Sequence, residues 1–207
     1  MVMEPDSDIM LELTPEKLIW AYSRGVFPMV DKGELMWFSP DPRGLMPLDS
    51  RFHVSRSLRR TINRGVFECT IDTCFSHVMD LCGSGRDEGT WISAEMKAAY
   101  CKLHELGLAH SIEVWPARKV GKDRPVGGLY GVSIGSAFFA ESMFHRRTDA
   151  GKVALVHLVK HLTARGFVMC DVQWTTENLC RFGAFDMSRI EYLGMLVRAV
   201  SNECIFA

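Results

Sequence analysis

Phe167-Val168-Met169-Cys170-Asp171-Val172-Gln173 decides the fold of this chain. Its composition is that of a β-strand. Alternate side chains of a strand share a face and lie about 6–7 Å apart. Asp171 and Gln173 are therefore expected to project together, while Val168, Cys170 and Val172 fill the other side. A carboxylate beside a carboxamide at a strand end suits a functional site. Taken alone, an Asp just ahead of Trp174-Thr175-Thr176-Glu177 reads equally as a cap for the next helix.

Immediately upstream, Leu155, Leu158, Val159 and Leu162 follow the i, i+3, i+4, i+7 spacing of one buried helical stripe, with Asp149 placed to cap that helix. Further upstream, Gly127-Gly128-Leu129-Tyr130-Gly131-Val132 and Ser136-Ala137-Phe138-Phe139-Ala140-Glu141-Ser142 form two strands turning at Ile134-Gly135. That hairpin sets Glu141, a third polar group, among apolar neighbours. His157 and His161 stand at i and i+4, but no Glu follows the first His, so they read as a helix-surface or core pair and no metal site is expected. Hairpin, helix, strand, helix is the order of an acetyltransferase-like (GNAT-type) core.

The part before this core carries its own signals. Thr14-Pro15-Glu16 opens a helix with a hydroxyl cap, proline at the first position and a carboxylate in the first turn, and Arg24-Gly25 ends it. After a turn at Asp31-Lys32-Gly33 come Trp37 and Phe38, which either fill a core or offer a flat apolar surface to a ligand. The following Pro40-Asp41-Pro42 excludes helix and fixes a rigid loop. Residues 51–64 hold five arginines and a histidine. Read as a helix capped by Ser55 or Ser57 and stopped at Gly65, they align Arg56, Arg59, Arg60 and Arg64 in a basic stripe with no acid among them. Such a stripe is either a solvated face or a seat for a phosphate backbone. Residues 66–71 read as a strand, Asp72 or Thr73 as the cap of a helix through Leu81, Ser93 as the cap of a helix ending at Leu106-Gly107, and 111–115 as another strand. A boundary falls most naturally in the charged glycine loop 83–89. The expected organisation is α+β, with a smaller N-terminal α+β domain over 1–85 and an acetyltransferase-like C-terminal domain over 86–207.

With 207 residues, 47% of them hydrophobic, the chain can bury a full core. A formal net charge of −1 means that any nucleic-acid surface must be a local patch. Seven cysteines, an odd number without a C-x-x-C pair, argue against a zinc site or a disulfide framework and for reduced thiols. No apolar run approaches 18 residues and the first residues are acidic, so neither a membrane anchor nor a signal peptide is expected, and the location expected is cytoplasmic.

Several short motifs combine in one order: Tyr22-Ser23-Arg24-Gly25-Val26-Phe27-Pro28, Trp37-Phe38-Ser39-Pro40-Asp41-Pro42-Arg43, Phe52-His53-Val54-Ser55-Arg56-Ser57-Leu58-Arg59, Gly89-Thr90-Trp91-Ile92, His110-Ser111-Ile112-Glu113-Val114-Trp115, Gly127-Gly128-Leu129-Tyr130-Gly131-Val132, Glu141-Ser142-Met143-Phe144 and Asp171-Val172-Gln173. In this combination, over roughly residues 14–195, the chain resembles the leucyl/phenylalanyl-tRNA–protein transferase family. The resemblance implies an aminoacyltransferase that moves leucine or phenylalanine from aminoacyl-tRNA to proteins beginning with Lys or Arg, creating an N-degron. It implies Trp37 and Trp91 at the terminal adenosine, Glu141, Asp171 and Gln173 around the reacting centre, and Leu129, Leu158 and Cys170 in the aminoacyl side-chain pocket. Two positions depart from the family's pattern: Leu158 stands where an aromatic is usual, and Gly151 precedes Lys152 where a small hydroxyl is usual. The first leaves the preference among leucine, phenylalanine and methionine open.

The chemistry suits these residues. An aminoacyl-tRNA ester is already activated, so amide formation calls for positioning of the amine and management of one proton, and no cofactor is expected. Gln173 is expected to accept a hydrogen bond from the attacking amine. Asp171 either orients that amide or acts as general base itself. Glu141 is expected to hold the basic N-terminal residue or the ribose. An acetyl-CoA-dependent N-acetyltransferase is the rival, but the junction 145–152 has one glycine and an acidic residue where a pyrophosphate would sit. A non-catalytic RNA-binding module would explain the arginines and leave Glu141, Asp171 and Gln173 without a role.

Overall fold

Thr14 accepts a hydrogen bond from the Lys17 backbone nitrogen (3.3 Å) and opens helix α1 (Pro15–Tyr22), which ends before Gly25 at φ +74°. The computed structural model describes residues 13–31, 33–84, 92–117 and 124–207. Strands β1 (Phe27–Asp31) and β2 (Glu34–Phe38) form a separate antiparallel pair. Then follow β3 (Arg43–Leu45), α2 (Arg56–Asn63), β4 (Phe67–Ile71), α3 (Phe75–Gly83), α4 (Ala94–Glu105), β5 (Ala109–Pro116), β6 (Gly127–Ile134), β7 (Ala137–His145), α5 (Ala150–Ala164), β8 (Met169–Gln173), α6 (Glu177–Cys180), β9 (Phe185–Met187) and α7 (Arg189–Ser201).

The expected caps at Ser55 and Ser93 are present: the two hydroxyls accept from Leu58 N (3.3 Å) and Met96 N (3.1 Å). Two acidic caps are not. Asp149 precedes α5 but sits at φ +68° without a capping bond, and its carboxylate instead meets Thr61 Oγ1 (3.3 Å) and Lys152 Nζ (3.2 Å). Cys74, rather than Asp72 or Thr73, precedes α3, because Asp72 is drawn across to β5, where it accepts from His110 and from the Ser111 amide. The strand expected from residue 167 starts at Met169, and Val168 is exposed.

Seven strands form one mixed sheet in the order β4-β5-β6-β7-β8-β3-β9. Only β7 and β8 run parallel. Strands β3 and β4, from before residue 86, lie in the same sheet as β5 to β9, so this sheet crosses the boundary expected at residue 85. One apolar core gathers residues of α1, α3, α4 and α7, and a second packs α2 and α5 against the opposite face. Leu155, Leu158, Val159 and Leu162 form the expected stripe on α5, all at most 3% exposed. His161 donates from Nε2 to the Phe206 carbonyl at 2.6 Å, so this member of the 157/161 pair is packed against the C-terminal segment. Among the described residues no helix is long and apolar enough to cross a membrane.

The parallel pair is short. It holds from Ala137↔Met169 to Phe139↔Asp171, after which β7 and β8 have no further paired positions. The gap between their ends is where the polar side chains singled out from sequence gather. Leu158, fully buried at the centre of α5, is a core residue there. Leu158→Ala is expected to cost about 2–5 kcal/mol of stability through the cavity it leaves, measured by urea unfolding.

Candidate active site

Two local irregularities aim the polar side chains. In the β6–β7 hairpin, Tyr130 faces Ser142 and Gly131 faces Ala140, so Glu141 is one residue too many and has no partner across the ladder. It is a β-bulge, a device that bends a strand and redirects a side chain. At the end of β8, Gln173 has φ +60°, and the Trp174 amide donates to the Val172 carbonyl at 2.7 Å. An i+2 to i bond around a residue with positive φ is a classic γ-turn, a rare and strained conformation. It turns Gln173 out of the strand's alternation, so that Gln173 and Val172 line the same cavity.

That cavity, of about 200 Å³, is bounded by Leu129, Ala140, Glu141, Ser142, Met143, Leu155, Val172, Gln173 and residues of the α6 segment including Leu179. At about 30 Å³ per water-sized group it has room for roughly six or seven such groups, enough to admit a leucine or a phenylalanine side chain. Its wall combines apolar side chains with the polar Ser142, Thr176 and Asn178, and the Glu141–Gln173 pair lies among them. Gln173 Nε2 donates to Glu141 Oε1 over a long 3.4 Å, and Tyr22 Oη donates to the same oxygen at 2.7 Å. Tyr22 Oη is in turn hydrogen-bonded to Tyr100 Oη. Burial, and next the Glu141 charge, push both phenols well above their ordinary range, so they stay neutral. Burial also pushes the Glu141 carboxyl up to about 8, against the Tyr22 hydrogen bond and with help from the Asp171 charge.

Asp171 belongs to another cluster. It is 0% exposed and both its oxygens are taken: Oδ1 by Arg43 Nε (2.9 Å) and the Gln173 amide (2.8 Å), Oδ2 by Arg43 Nη2 (2.8 Å) and Tyr192 Oη (2.6 Å). Arg43, 1% exposed, also donates through Nη1 to the Gly25 carbonyl and lies between the rings of Phe27 and Tyr192, 4.7 Å from each centroid. The helix after β8 is capped by Thr176, whose hydroxyl accepts from Leu179 N, so Asp171 is not its cap. The γ-turn also depends on Gly44, which faces Gln173 across β3. A Cβ there would come within 2.7 Å of the Trp174 carbonyl carbon and 2.8 Å of the Thr175 nitrogen.

Of the residues named from sequence, the structure brings Glu141, Gln173 and Leu129 to one cavity and sets Asp171 directly behind Gln173. Leu158 packs in the core beneath, and Leu155, three residues earlier on the same helix face, lines the wall instead. Cys170 lines a separate cavity of about 230 Å³ with Leu45, Met46 and Phe167; burial pushes its thiol up, so it is a neutral packing group. Trp37 is 5% exposed within the first core and does not line the cavity. Trp91 lies outside the described residues. The exposed indole beside Gln173 is Trp174, set edge-on to Phe27 and Phe38 at 5.3 and 6.3 Å. Arg56, Arg59, Arg60 and Arg64 stand exposed on α2, away from the buried Leu58. Arg43, Tyr22, Tyr192 and Leu155 stand at or behind this cavity, although none of them was assigned a place in the site from sequence.

By fold, the chain is an α+β protein of the FemX type. The crystal structure of FemX superposes with a TM-score of 0.52 at 13% identity, over 76% of this chain and 64% of that one, so the chain spans about two thirds of FemX's length. The model of the leucyl/phenylalanyl-tRNA protein transferase family matches residues 45–197, and that of the family's N-terminal domain matches residues 12–41. Proteins named leucyl/phenylalanyl-tRNA–protein transferase from Akkermansia muciniphila and Herpetosiphon aurantiacus are 46% and 48% identical over 194 residues, covering 92% and 94% of this chain and 98% of each relative. The chain belongs to the leucyl/phenylalanyl-tRNA–protein transferase family.

The raised Glu141 carboxyl has a measurable consequence. The folded protein keeps this proton up to about pH 8, while the unfolded chain gives it up near 4.5. Its contribution to stability is full below that lower value and is lost as pH rises through the upper one. Urea midpoints of the wild type minus those of Glu141→Gln are therefore expected to decline from pH 5 to pH 8. A difference that stays flat with pH would contradict the raised value.

Proposed function

We propose that this protein transfers leucine or phenylalanine, with methionine tolerated, from aminoacyl-tRNA to the N-terminal Lys or Arg of proteins in the cytoplasm, marking them for proteolysis. The observation that carries this reading is the contact between Glu141 and Gln173 at the mouth of an apolar cavity, where β7 and β8 part.

The aminoacyl side chain fills the cavity, and its ester carbonyl comes to the mouth beside Gln173. With Nε2 turned to Glu141, the carboxamide directs Oε1 to the incoming α-amine. That amine, whose ordinary pKa is about 8, gives one proton to solvent as it enters and reacts in its neutral form. Its nitrogen lone pair forms the new C–N bond, the ester C–O bond breaks, and the amine's proton leaves with the adenosine oxygen as a ribose hydroxyl. Gln173 Oε1 accepts an N–H hydrogen bond as the amine becomes cationic, a stabilisation strongest in the transition state. Asp171 is a positioning residue: fully buried, with every oxygen engaged, it fixes the Gln173 backbone and does not act as general base. Glu141, neutral over most of the physiological range, orients Gln173 and offers its second oxygen to the ribose or to the acceptor's basic residue.

The resemblance assigned Trp37 and Trp91 to the terminal adenosine. Since Trp37 is sealed in the core, Trp174 with Phe38 is the aromatic surface we place under that base, as stacking on an exposed ring requires. The tRNA backbone lies on the α2 arginines Arg56, Arg59, Arg60 and Arg64. We also retain a small N-terminal unit on an acetyltransferase-like body as the organisation, with β3 and β4 the strands through which the two share a sheet.

Gln173→Ala is expected to lower single-turnover transfer from leucyl-tRNA to an arginine-initiated peptide by about 10²-fold or more, with tRNA affinity within about twofold of wild type. Unchanged transfer would remove the role assigned to Gln173. Gly44→Ala, which displaces the turn without touching a substrate, is expected to lower kcat by about ten- to a hundredfold. Product formation in the same peptide assay reads it directly.

A further inference from the structure

The sequence isolates four arginines on α2, but the folded surface that contains them does not end there. Thr61 and Arg64 are three residues apart and share one flank of α2. Thr61 donates to Asp149 at the start of α5, so that flank stands against the loop between β7 and α5. This loop carries Arg146 and Arg147, both exposed, and neither pairs with a carboxylate among the described residues. Its backbone is held in place: the amides of Arg146 and Arg147 both donate to the Val126 carbonyl, at 2.7 and 3.3 Å. The Arg147 guanidinium lies over the Phe67 ring, 5.2 Å from its centroid. Asp149, the acid at this junction, is already engaged by Thr61 and Lys152.

The loop is also the direct continuation of the strand that carries Glu141. β7 runs four residues beyond Glu141 to His145, so at about 3.4 Å per residue Arg146 and Arg147 lie at most roughly 17–20 Å from Glu141, and nearer to Met143 at the cavity's edge. That is a distance of a few nucleotides. A tRNA ends in unpaired 3′ nucleotides, and a strand entering the cavity from a duplex docked on α2 has to cross this interval.

Resting on the function proposed above, we infer that Arg146 and Arg147 form a second phosphate-binding segment, which takes the single-stranded 3′ end of the tRNA between α2 and the Glu141–Gln173 cavity. Arginine suits the task because its planar fork pairs two donors with a phosphate. A loop whose amides are already bonded loses little freedom when the strand binds. The contacts are sequence-blind, so they hold every charged tRNA in the same register and leave the choice among donors to the cavity.

The test compares two donors with the same acyl group: leucyl-tRNA, and leucyl-adenosine, which has no phosphate. For the double variant Arg146→Ala/Arg147→Ala, kcat/KM with leucyl-tRNA is expected to fall about tenfold or more at physiological salt. The slope of log affinity for tRNA against log salt is expected to shrink by about 0.7–1.4, the loss of one or two single-strand phosphate contacts. Transfer from leucyl-adenosine should stay close to wild type, because that donor has nothing for these arginines to hold. Arg146→Lys/Arg147→Lys should recover most of the salt slope. A variant that matches wild type with leucyl-tRNA in both rate and salt slope overturns the inference. So does an equal fall with both donors, since that reports damage to the cavity or the fold. A wild type that binds tRNA but transfers from neither donor would instead sink the proposed function, a different outcome from either.

Discussion

Arg43 and Asp171 form an ion pair from which water is excluded on both sides, with exposures of 1% and 0%. Moving two such charges out of water costs several kcal/mol per ion, and their attraction compensates only if the remaining donors and acceptors are also satisfied. Here they are satisfied by the Gly25 carbonyl, the Tyr192 hydroxyl and the Gln173 amide, and by two ring faces above and below the guanidinium. Losing one partner of such a pair typically costs about 3–5 kcal/mol, a large share of the roughly 5–15 kcal/mol that keeps a domain folded. The pair gives little net stability over an apolar substitute. What it supplies is location. It ties the turn after α1, the short strand β3, the end of β8 and helix α7 to one point, and these segments come from distant parts of the chain.

The geometry of the reacting groups follows from that point. With Asp171 immobilised, its Oδ1 holds the Gln173 amide, and the chain beyond must turn within one residue. The resulting γ-turn places a non-glycine residue at positive φ, a conformation costing on the order of 1–3 kcal/mol that persists only where the surroundings over-determine it. Gly44 leaves room for the turned backbone to pass. On the neighbouring strand the bulge at Glu141 makes the complementary correction. Two departures from regular pairing, on strands that have just parted, aim a carboxamide and a carboxyl at each other across the same opening.

These departures also mark the limit of what the residues alone could reveal. Strand periodicity correctly put Asp171 and Gln173 on one strand, and a Glu among apolar neighbours drew attention to position 141, which the structure makes a β-bulge. Strict alternation then predicted that Asp171 and Gln173 would share a face. In the structure Asp171 points into the first core and Gln173 joins Val172 at the cavity, because the γ-turn reverses the last residue of the strand. Nothing in a lone Gln announces positive φ. Hydroxyl caps at Thr14, Ser55 and Ser93 were legible because they act within three residues. Asp72 and Asp149 were not, since both are engaged by residues about 40 and 90 positions away. The cavity linings show the same limit: α5 and β8 reach this cavity through Leu155 and Val172, while Leu158 packs in the core and Cys170 lines a separate cavity. Arg43 was hidden for a related reason, as the partner that makes it significant lies 128 residues further on.

The division between sequence-blind and sequence-reading contacts limits how selective such a site can be. Phosphate contacts and stacking on an exposed ring act alike on every aminoacyl-tRNA, so they raise the affinity of all donors together. On the function proposed above, discrimination is left to the cavity, where Leu129, Leu155, Val172 and Leu179 offer apolar side chains beside the polar Ser142, Thr176 and Asn178. A polar side chain turned against the apolar residues is disfavoured, because a hydroxyl or amide left unpaired there costs roughly 2–7 kcal/mol. Apolar ones are separated only weakly, by about 1–3 kcal/mol per methylene, and the flexible Met143 at the rim can adapt to an unbranched or an aromatic chain. A cavity of this kind divides donors into apolar and polar far better than it divides leucine from phenylalanine or methionine. A twofold name for the family's donors is what its physics would produce.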